Sequence, residues 1–297
     1  MLKPIRAGLT ALSLVLAQAA CAQGTPATVD ADPALWVVKD RDTTVYLFGT
    51  VHVLKPGLSW FDEAVKAAFD RSDTLVLEMV EPDAATMRKL VLAKGFDASG
   101  RTLTEKLPAD KREAVAAALG KVGLPRQAYD RMDPWMAAVT LSMAPIQQMG
   151  YQPESGAEKS LARAAKDAGK AVEGFETAEQ QLGFFDALPE RAQVEFLVSS
   201  VEDLPELSQE MERMVSAWAK GDADGLAAVL NDNLKDSPEV AKALLTDRNR
   251  NWAAAIRDRM ARPGTVFVAV GAGHLAGADS VQAQLGRYGL KAVRVRY

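Results

Sequence analysis

Cysteine is nearly absent from this sequence, and the one it has, Cys21, lies in an N-terminal run that reads as a removable export signal. Once that run is gone the chain has no thiol. A cysteine nucleophile, a thiolate metal site, an iron–sulfur cluster and any disulfide are then excluded, which suits an oxidising compartment. Histidine is almost as scarce, with 2 in 297 residues, His52 and His274. No concentrated basic stretch exists and the formal net charge is −4, so the electrostatic footprint of a nucleic-acid binder is missing, as are zinc-finger spacing and an aromatic RNP pattern. There is no Gly-x-Ser-x-Gly elbow, no phosphate loop, no His-Glu-x-x-His helix and no low-complexity run. Gly271-x-Gly273 follows an apolar run like half of a dinucleotide fingerprint, but the third glycine is not there.

What is present is an ordinary globular composition, 48% hydrophobic and 25% charged. Residues 1–22 read as a signal peptide: Lys3 and Arg6, then the apolar Ala7–Ala20, too short to be a permanent span, then Ala20-Cys21-Ala22, with cleavage after Ala22. Its removal takes away two cations and leaves the mature chain at −6, with no transmembrane segment. The expected location is periplasmic or secreted. A lipid anchor at Cys21 is the alternative, although Gln18 stands where a lipoprotein signal has an aliphatic residue.

Residues 23–34, rich in Ala, Thr, Pro and Asp, read as a flexible lead-in. From 35 to 297 the pattern is that of a single α/β domain, a central mixed, largely parallel β-sheet flanked by helices, with a large helical insertion over about 84–240. Leu35–Lys39 and Thr44–Phe48 form a hairpin around Asp40-Arg41-Asp42; Trp60–Asp70 has helical spacing and Thr74–Met79 is again a strand. Ala171–Phe175 is a short strand inside the helical stretch, and Thr265–Val270 a buried one. A helix near Asp279–Tyr288 and a strand Ala292–Arg296 close the chain. Ser237-Pro238-Glu239 has the form of a helix start, a cap residue, a proline and an acid, for a helix reaching Met260. The charge-rich helices at Lys89–Lys94, Lys111–Glu113 and Glu158–Lys170 read as solvated faces.

Both histidines stand in matching contexts, Gly49-Thr50-Val51-His52 and Gly271-Ala272-Gly273-His274, each after an apolar run. Sites in open α/β sheets lie beyond the carboxyl ends of the strands, and a glycine there lets the backbone turn sharply and approach a ligand. The two histidines are therefore expected to meet. Glu78 and Glu176 each end a strand; imidazoles with carboxylates suit manganese, cobalt or zinc, and such an ion turns water into a nucleophile. Each glutamate taken singly also reads as a solvated charge or a helix-capping acid. Leu245, Arg248, Asn249, Trp252 and Ile256 share one helical face, so Arg248 needs a partner: a site carboxylate, a substrate oxyanion or a structural acid.

Together Gly49–His52, Glu78, Gly174-Phe175-Glu176-Thr177 with Gln180-Gln181, Arg248-Asn249 with Trp252, and Gly271–Leu275 resemble the TraB/GumN family, in a superfamily that also holds the animal Tiki metalloproteases. The resemblance spans about Leu35 to Arg296; Phe175 stands where the family pattern has an aliphatic residue. It implies an erythromycin esterase/ChaN-like α/β fold and an exported metal-dependent hydrolase, a peptidase acting on a peptide or protein. By motif, His52, Glu78 and His274 would be the metal ligands or catalytic core, with Glu176, Arg248 and Asn249 in support and Gly49, Gly271 and Gly273 as loop glycines. The related ChaN branch makes a non-catalytic haem-binding protein the alternative, and an inactive envelope scaffold a third.

Overall fold

The β-branched and aromatic runs of the sequence become the strands. The computed structural model describes residues 28–234 and 237–297; the signal calls at Lys3, Arg6, Cys21 and Ala22 lie outside them. Strands run over Val29–Asp30 (β1), Leu35–Lys39 (β2), Thr43–Thr50 (β3), Leu58–Ser59 (β4), Thr74–Met79 (β5), Ala171–Glu176 (β6), Gly264–Gly271 (β7) and Val293–Arg294 (β8). Six of them form one sheet in the order β6-β5-β7-β3-β2-β8. The β6-β5, β5-β7 and β7-β3 pairs are parallel, while β2 runs antiparallel to both β3 and β8. This is the mixed, largely parallel sheet that the sequence implies.

The central strands are apolar almost throughout because both faces of the sheet are covered. Alternate residues of β3 go to opposite sides. Phe48 joins Leu75, Phe267, Trp60, Phe69, Leu161 and Trp218 under the helices Glu63–Arg71, Ala157–Asp167 and Leu207–Ala219. Val45 and Leu47 join Val268, Val270, Trp252 and Ile256 under the helix Asp247–Met260. Burying each such side chain contributes about 1.5–3 kcal/mol. The helical insertion has a separate core built on Leu103, Leu119, Tyr129, Leu141 and Leu197.

Register decides where the two glycine–histidine motifs end up. β3 and β7 are neighbours and parallel, pairing Gly49 with Val270 and Thr50 with Gly271. β5, on the other side of β7, pairs Leu77 with Ala269, which brings Glu78 to the same level. Three chain segments from different parts of the sequence therefore leave the sheet side by side at one edge.

Four expectations need correction. The described part of the lead-in is not free: β1 pairs with β4, Val29 N–H donates to Gly57 O at 2.7 Å, and Ala31 is buried. Two-residue strands carry too little pattern to be read from sequence. Ser237 makes no side-chain cap bond; Pro238–Ala241 forms one short turn of helix, Lys242–Thr246 a π-helical turn, and the regular helix starts only at Asp247. The closing helix is shorter, Val281–Gly286, because Ser280 caps it by accepting from Ala283 N–H. The Glu158–Lys170 region is not simply a solvated face, since the Glu158 side chain is only 24% exposed and touches His52.

Candidate active site

His52 follows β3 through a short bend, and His274 sits in the 3-10 turn Ala272–Leu275 that follows β7. Two glycines permit this convergence. A Cβ on Gly49 would come within 3.0 Å of Ala272 Cα, so the turn carrying His274 could not pack against β3. Trp218 Nε1–H donates to Gly49 O at 2.7 Å and pins that strand end. A Cβ on Gly271 would lie 3.0 Å from Glu78 Oε1, 3.5 Å from His52 Nε2 and 3.5 Å from His274 Cδ2. Gly271 thus marks the point on which the three predicted core residues close. Gly273 lies inside the 3-10 turn and gives its carbonyl to Ala276 N–H at 3.4 Å.

The two imidazoles are held by different neighbours. His274 is buried, and its Nδ1 lies 2.6 Å from Asn249 Oδ1, while Asn249 Nδ2 donates to Asp279 O at 2.9 Å. With the amide orientation set by Asp279, Oδ1 must accept, so Nδ1 carries the proton and Nε2 is the bare lone pair. Burial lowers the His274 pKa to about 3, so the ring is neutral at physiological pH. His52 lies in the open cleft, its side chain 61% exposed, with Nδ1 3.2 Å from Glu158 Oε1. Crowding by the protein pulls its pKa down, but the hydrogen bond and charge of Glu158, aided by the charge of Glu78, hold it above the ordinary value. Glu158 therefore orients His52 as Asn249 orients His274. Gly156 lets that helix start approach, because a Cβ there would collide with the His52 carbonyl oxygen.

Glu78 and Glu176 are brought together by Arg248. Arg248 Nη2 donates to Glu78 Oε2 at 2.5 Å and Glu176 Oε2 at 2.8 Å, and Nε donates to Glu176 Oε1 at 3.0 Å. Its Nη1 reaches Leu244 O at 3.1 Å and His274 Nε2 at 3.2 Å. The Leu244 carbonyl lies in the π-helical turn, where i→i+5 bonding offsets the carbonyls from the regular ladder. A guanidinium has five N–H groups, and every one is engaged. Of the three partners expected for Arg248, the structure shows the site carboxylates, and it leaves no free donor here for a substrate oxyanion; Arg248 is a positioning residue for Glu78 and Glu176. Glu176, read singly as a solvated or capping acid, is instead a buried member of the cluster, with Trp252 Nε1–H donating to Oε1 at 2.9 Å. The cap of the following helix is Thr177, reciprocated by Gln180.

Burial would push the Glu78 carboxyl up. The positive charge available at His274 and Arg248, with the Gly271 N–H donating to Oε1 at 2.7 Å, brings it down to about 2. Since His274 is neutral above about pH 3, Arg248 sustains the ionised carboxylate over the ordinary pH range. Gln181 Nε2 donates to both Glu78 Oε2 and Glu176 Oε2, at 3.2 and 3.1 Å. Trp252 closes the inner side, its ring centroid 4.4 Å from that of His274. Phe175 stacks on Trp252 at 5.4 Å, which accounts for an aromatic side chain at that position. On the outer side a cavity of about 410 Å³ opens past His52, Glu78, Glu158 and Gln181.

The donor chemistry fits a divalent ion: the ionised carboxylate of Glu78, the neutral imidazole of His274, and the imidazole of His52, which would bind an ion by giving up its proton. The spacing is incomplete, because among the described residues no group of three or more His, Cys, Asp or Glu converges closely enough to hold a metal. Arg248 Nη1 lies 3.2 Å from His274 Nε2, so the residues that would hold an ion are His52 and Glu78, with His274 joining in exchange for its arginine contact.

The structure brings the expected His52, Glu78, Glu176, His274, Arg248 and Asn249 together; Gln181 entered the sequence analysis only as part of the family motif, and Glu158 only as one charge of a solvated face. The only signal for Glu158 was Gly156, two residues before it and directly after Pro153-Glu154-Ser155.

The sequence model of the TraB/PrgY/gumN family matches residues 34–294. The chain is 21% identical over 254 residues to uncharacterized protein YbaP of Escherichia coli strain K12, covering 85% of this chain and 92% of that protein. The YbaP of Shigella flexneri matches to the same extent, 21% over 254 residues. No solved structure matches significantly.

Proposed function

Because this chain belongs to the TraB/PrgY/gumN family, as the match over residues 34–294 shows, we propose that it is an exported metal-dependent hydrolase that cleaves a peptide or protein. The proposal includes kinship with the Tiki-like metalloproteases and the erythromycin esterase/ChaN-like fold. The observation that carries it is the convergence at Gly271, where His52 Nε2 and Glu78 Oε1 face one point and His274 stands beside them. Among the described residues no helix is long and apolar enough to cross a membrane.

In this reading His52, Glu78 and His274 hold a manganese, cobalt or zinc ion. When bound, such an ion supplies Lewis acidity and lowers the pKa of water. Glu158 and Asn249 engage the two Nδ1 atoms, which leaves His52 Nε2 turned to the point beside Gly271 and His274 Nε2 available once its contact with Arg248 Nη1 is released. Arg248, Gln181 and the Gly271 N–H fix the Glu78 carboxylate and keep it ionised. Trp252 and Phe175 exclude water from the inner half of the cluster. The outer cavity receives the substrate segment.

The test is metal retention. Protein loaded with manganese, cobalt or zinc and desalted is compared with the His52→Ala/His274→Ala double variant by elemental analysis, with circular dichroism as the fold control. Near-stoichiometric metal in the parent, lost in the variant, supports the centre and leads to a peptide-library cleavage screen. Equal retention, or none in either, refutes it.

A further inference from the structure

The cavity that opens past His52 and Glu78 is walled mainly by Leu77, Met79, Val80, Ala162 and Val172. Leu75 of β5 pairs with Val172 of β6, so Leu77, two residues on, shares with Val172 the sheet face under the helix Ala157–Asp167. Ala162 stands one turn beyond Glu158 on that helix, on the same side. A Cβ on Gly174 would come within 3.0 Å of Met79 Cα and Val80 N. Glycine there lets the chain leaving β5 lie against β6 and bring Val80 to the wall. Val80 is 49% exposed. A single exposed valine is ordinary on a surface, but this one continues an apolar wall that opens onto His52 and Glu78.

The charges around this wall are already matched. Glu78 is held by Arg248 and Gln181, and Glu158 by His52. Lys159 Nζ lies 2.8 Å from Glu154 and 3.7 Å from Glu81, whose side chain is 60% exposed to water. Thr50 Oγ1 and Glu158 Oε2 are sealed beneath the surface and offer a ligand nothing. A charged side chain entering this space would leave water without gaining a partner, which is costly. An apolar side chain gains roughly fourfold in affinity for each methylene group it buries. An apolar wall with a few fixed polar groups is the usual make-up of a small-ligand site.

We propose that this cavity is the subsite for an uncharged apolar side chain of the substrate, of about leucine size, next to the bond held at His52 and Glu78. Val80 sets the chemistry of the subsite and Ala162 its depth. The inference rests on the hydrolase reading for the identity of its ligand as a peptide.

The experiment is titration of the purified, metal-free protein with N-acetyl-Ala-X-Ala-amide peptides, followed by nuclear magnetic resonance, with X as leucine, alanine, asparagine, lysine or glutamate. Without metal, binding is read free of turnover. The leucine peptide should bind about tenfold or more tightly than the alanine peptide. It should exceed the asparagine peptide by a similar factor, since asparagine has nearly the shape of leucine but buries an unpaired amide. The lysine and glutamate peptides should bind no better than alanine. Val80→Asp puts an acid in the wall and should bring lysine level with leucine or above it. Ala162→Phe fills the cavity and should reduce leucine to the level of alanine. If Ala162→Phe does not fold, Val80→Asp decides, because that side chain is half exposed and its replacement leaves the core intact. A parent with no preference for leucine, or with no binding of any peptide, overturns the inference, as does a preference that survives both substitutions. Metal retention reports separately on the hydrolase reading: retained metal with no leucine preference sinks the subsite only, and leucine preference without metal sinks the metal centre only.

Discussion

Replacing Gly271 by alanine isolates the convergence point from everything else in the site. Gly271 has φ −49° and ψ 135°, a conformation that any L residue adopts, so the backbone is not strained by the change. The lower chain entropy of the unfolded alanine variant stabilises by about 0.4–1 kcal/mol. Against this, the new Cβ meets Glu78 Oε1 at 3.0 Å and the two imidazoles at 3.5 Å. Glu78 cannot retreat freely, being held by Arg248, Gln181 and the Gly271 N–H itself. Overpacking of this kind costs about 1–3 kcal/mol, so a net loss of roughly 0–2.6 kcal/mol is expected from these opposing effects. The methyl also stands where a metal held by His52 Nε2 and Glu78 Oε1 would lie. Retention of manganese, cobalt or zinc should therefore fall about 10–100-fold, the loss typical of disturbing the residues that orient metal ligands. Thermal denaturation gives the first quantity and competition against a fluorescent chelator the second. Wild-type metal affinity in a folded Gly271→Ala protein would refute the placement of the ion at this point.

Three further outcomes follow from the same network. Arg248→Met leaves the carboxylates of Glu78 and Glu176 buried without their cation and should destabilise by about 3–5 kcal/mol; adding Glu176→Gln should restore a measurable part, and urea denaturation showing a loss under about 1 kcal/mol or no coupling would contradict it. Asn249→Leu removes the acceptor for His274 Nδ1 and the donor to Asp279 O; a loss of about 1–3 kcal/mol is expected, and nitrogen chemical shifts of His274 should report a mixture of tautomers where the parent shows one. In chelator-treated protein, His274 binds a proton only near pH 3 when folded but near the ordinary 6.5 when unfolded. The unfolded state therefore holds more protons between, and stability must fall as the pH drops below 6.5. Glu78, lowered from 4.5 to about 2, adds a loss of the same sign only below 4.5. Between those two values His274 should contribute up to about 1.4 kcal/mol per pH unit, and an unchanged slope in His274→Gln would show that the ring is not a buried neutral group.

The parts of this molecule that were legible in the sequence are those set by long-period pattern. Thr265–Val270 and Thr44–Phe48 are apolar at nearly every position, and only a strand covered on both faces needs that. Their parallel pairing then brings Gly49 and Gly271 to the same edge, so the meeting of His52 and His274 was implicit in two short motifs. Arg248 and Asn249 could be placed because they interrupt an otherwise apolar helical face, and a buried guanidinium requires acids beside it. What was not legible depends on tertiary detail with no periodic signature. Lys242–Thr246 is composed of ordinary helix formers, and nothing local distinguishes a π turn from an α turn there. In that turn Arg248 Nη1 takes the Leu244 carbonyl and also reaches His274, contacts made only in the folded chain. Ser237 had the right chemistry for a cap, but without a side-chain bond to the backbone it does not act as one.

Glu158 shows the same limit from the functional side. On an amphipathic helix with Lys159, Arg163 and Lys166 as neighbours, its charge looks like one more solvated group, and helical spacing gives no reason to single it out. Its role comes from the turn at Gly156, which passes so close to the His52 carbonyl that a side chain is excluded. That approach sets the first turn of the helix against the bend after β3, and the acid on that turn then falls within reach of the only exposed imidazole. The two histidines were predicted as an equivalent pair, yet the fold makes them unequal. His274 is sealed between Asn249, Arg248 and Trp252 and stays neutral, while His52 faces the cavity with a carboxylate behind it. A site with one fixed inner imidazole and one accessible outer one has a direction: a ligand entering from the cavity meets Glu158 and His52 before it can disturb the Glu78–Arg248–His274 cluster. Substitutions at Glu158 should therefore change which ligands enter, whereas substitutions at Arg248 and Asn249 should change whether the centre holds together at all.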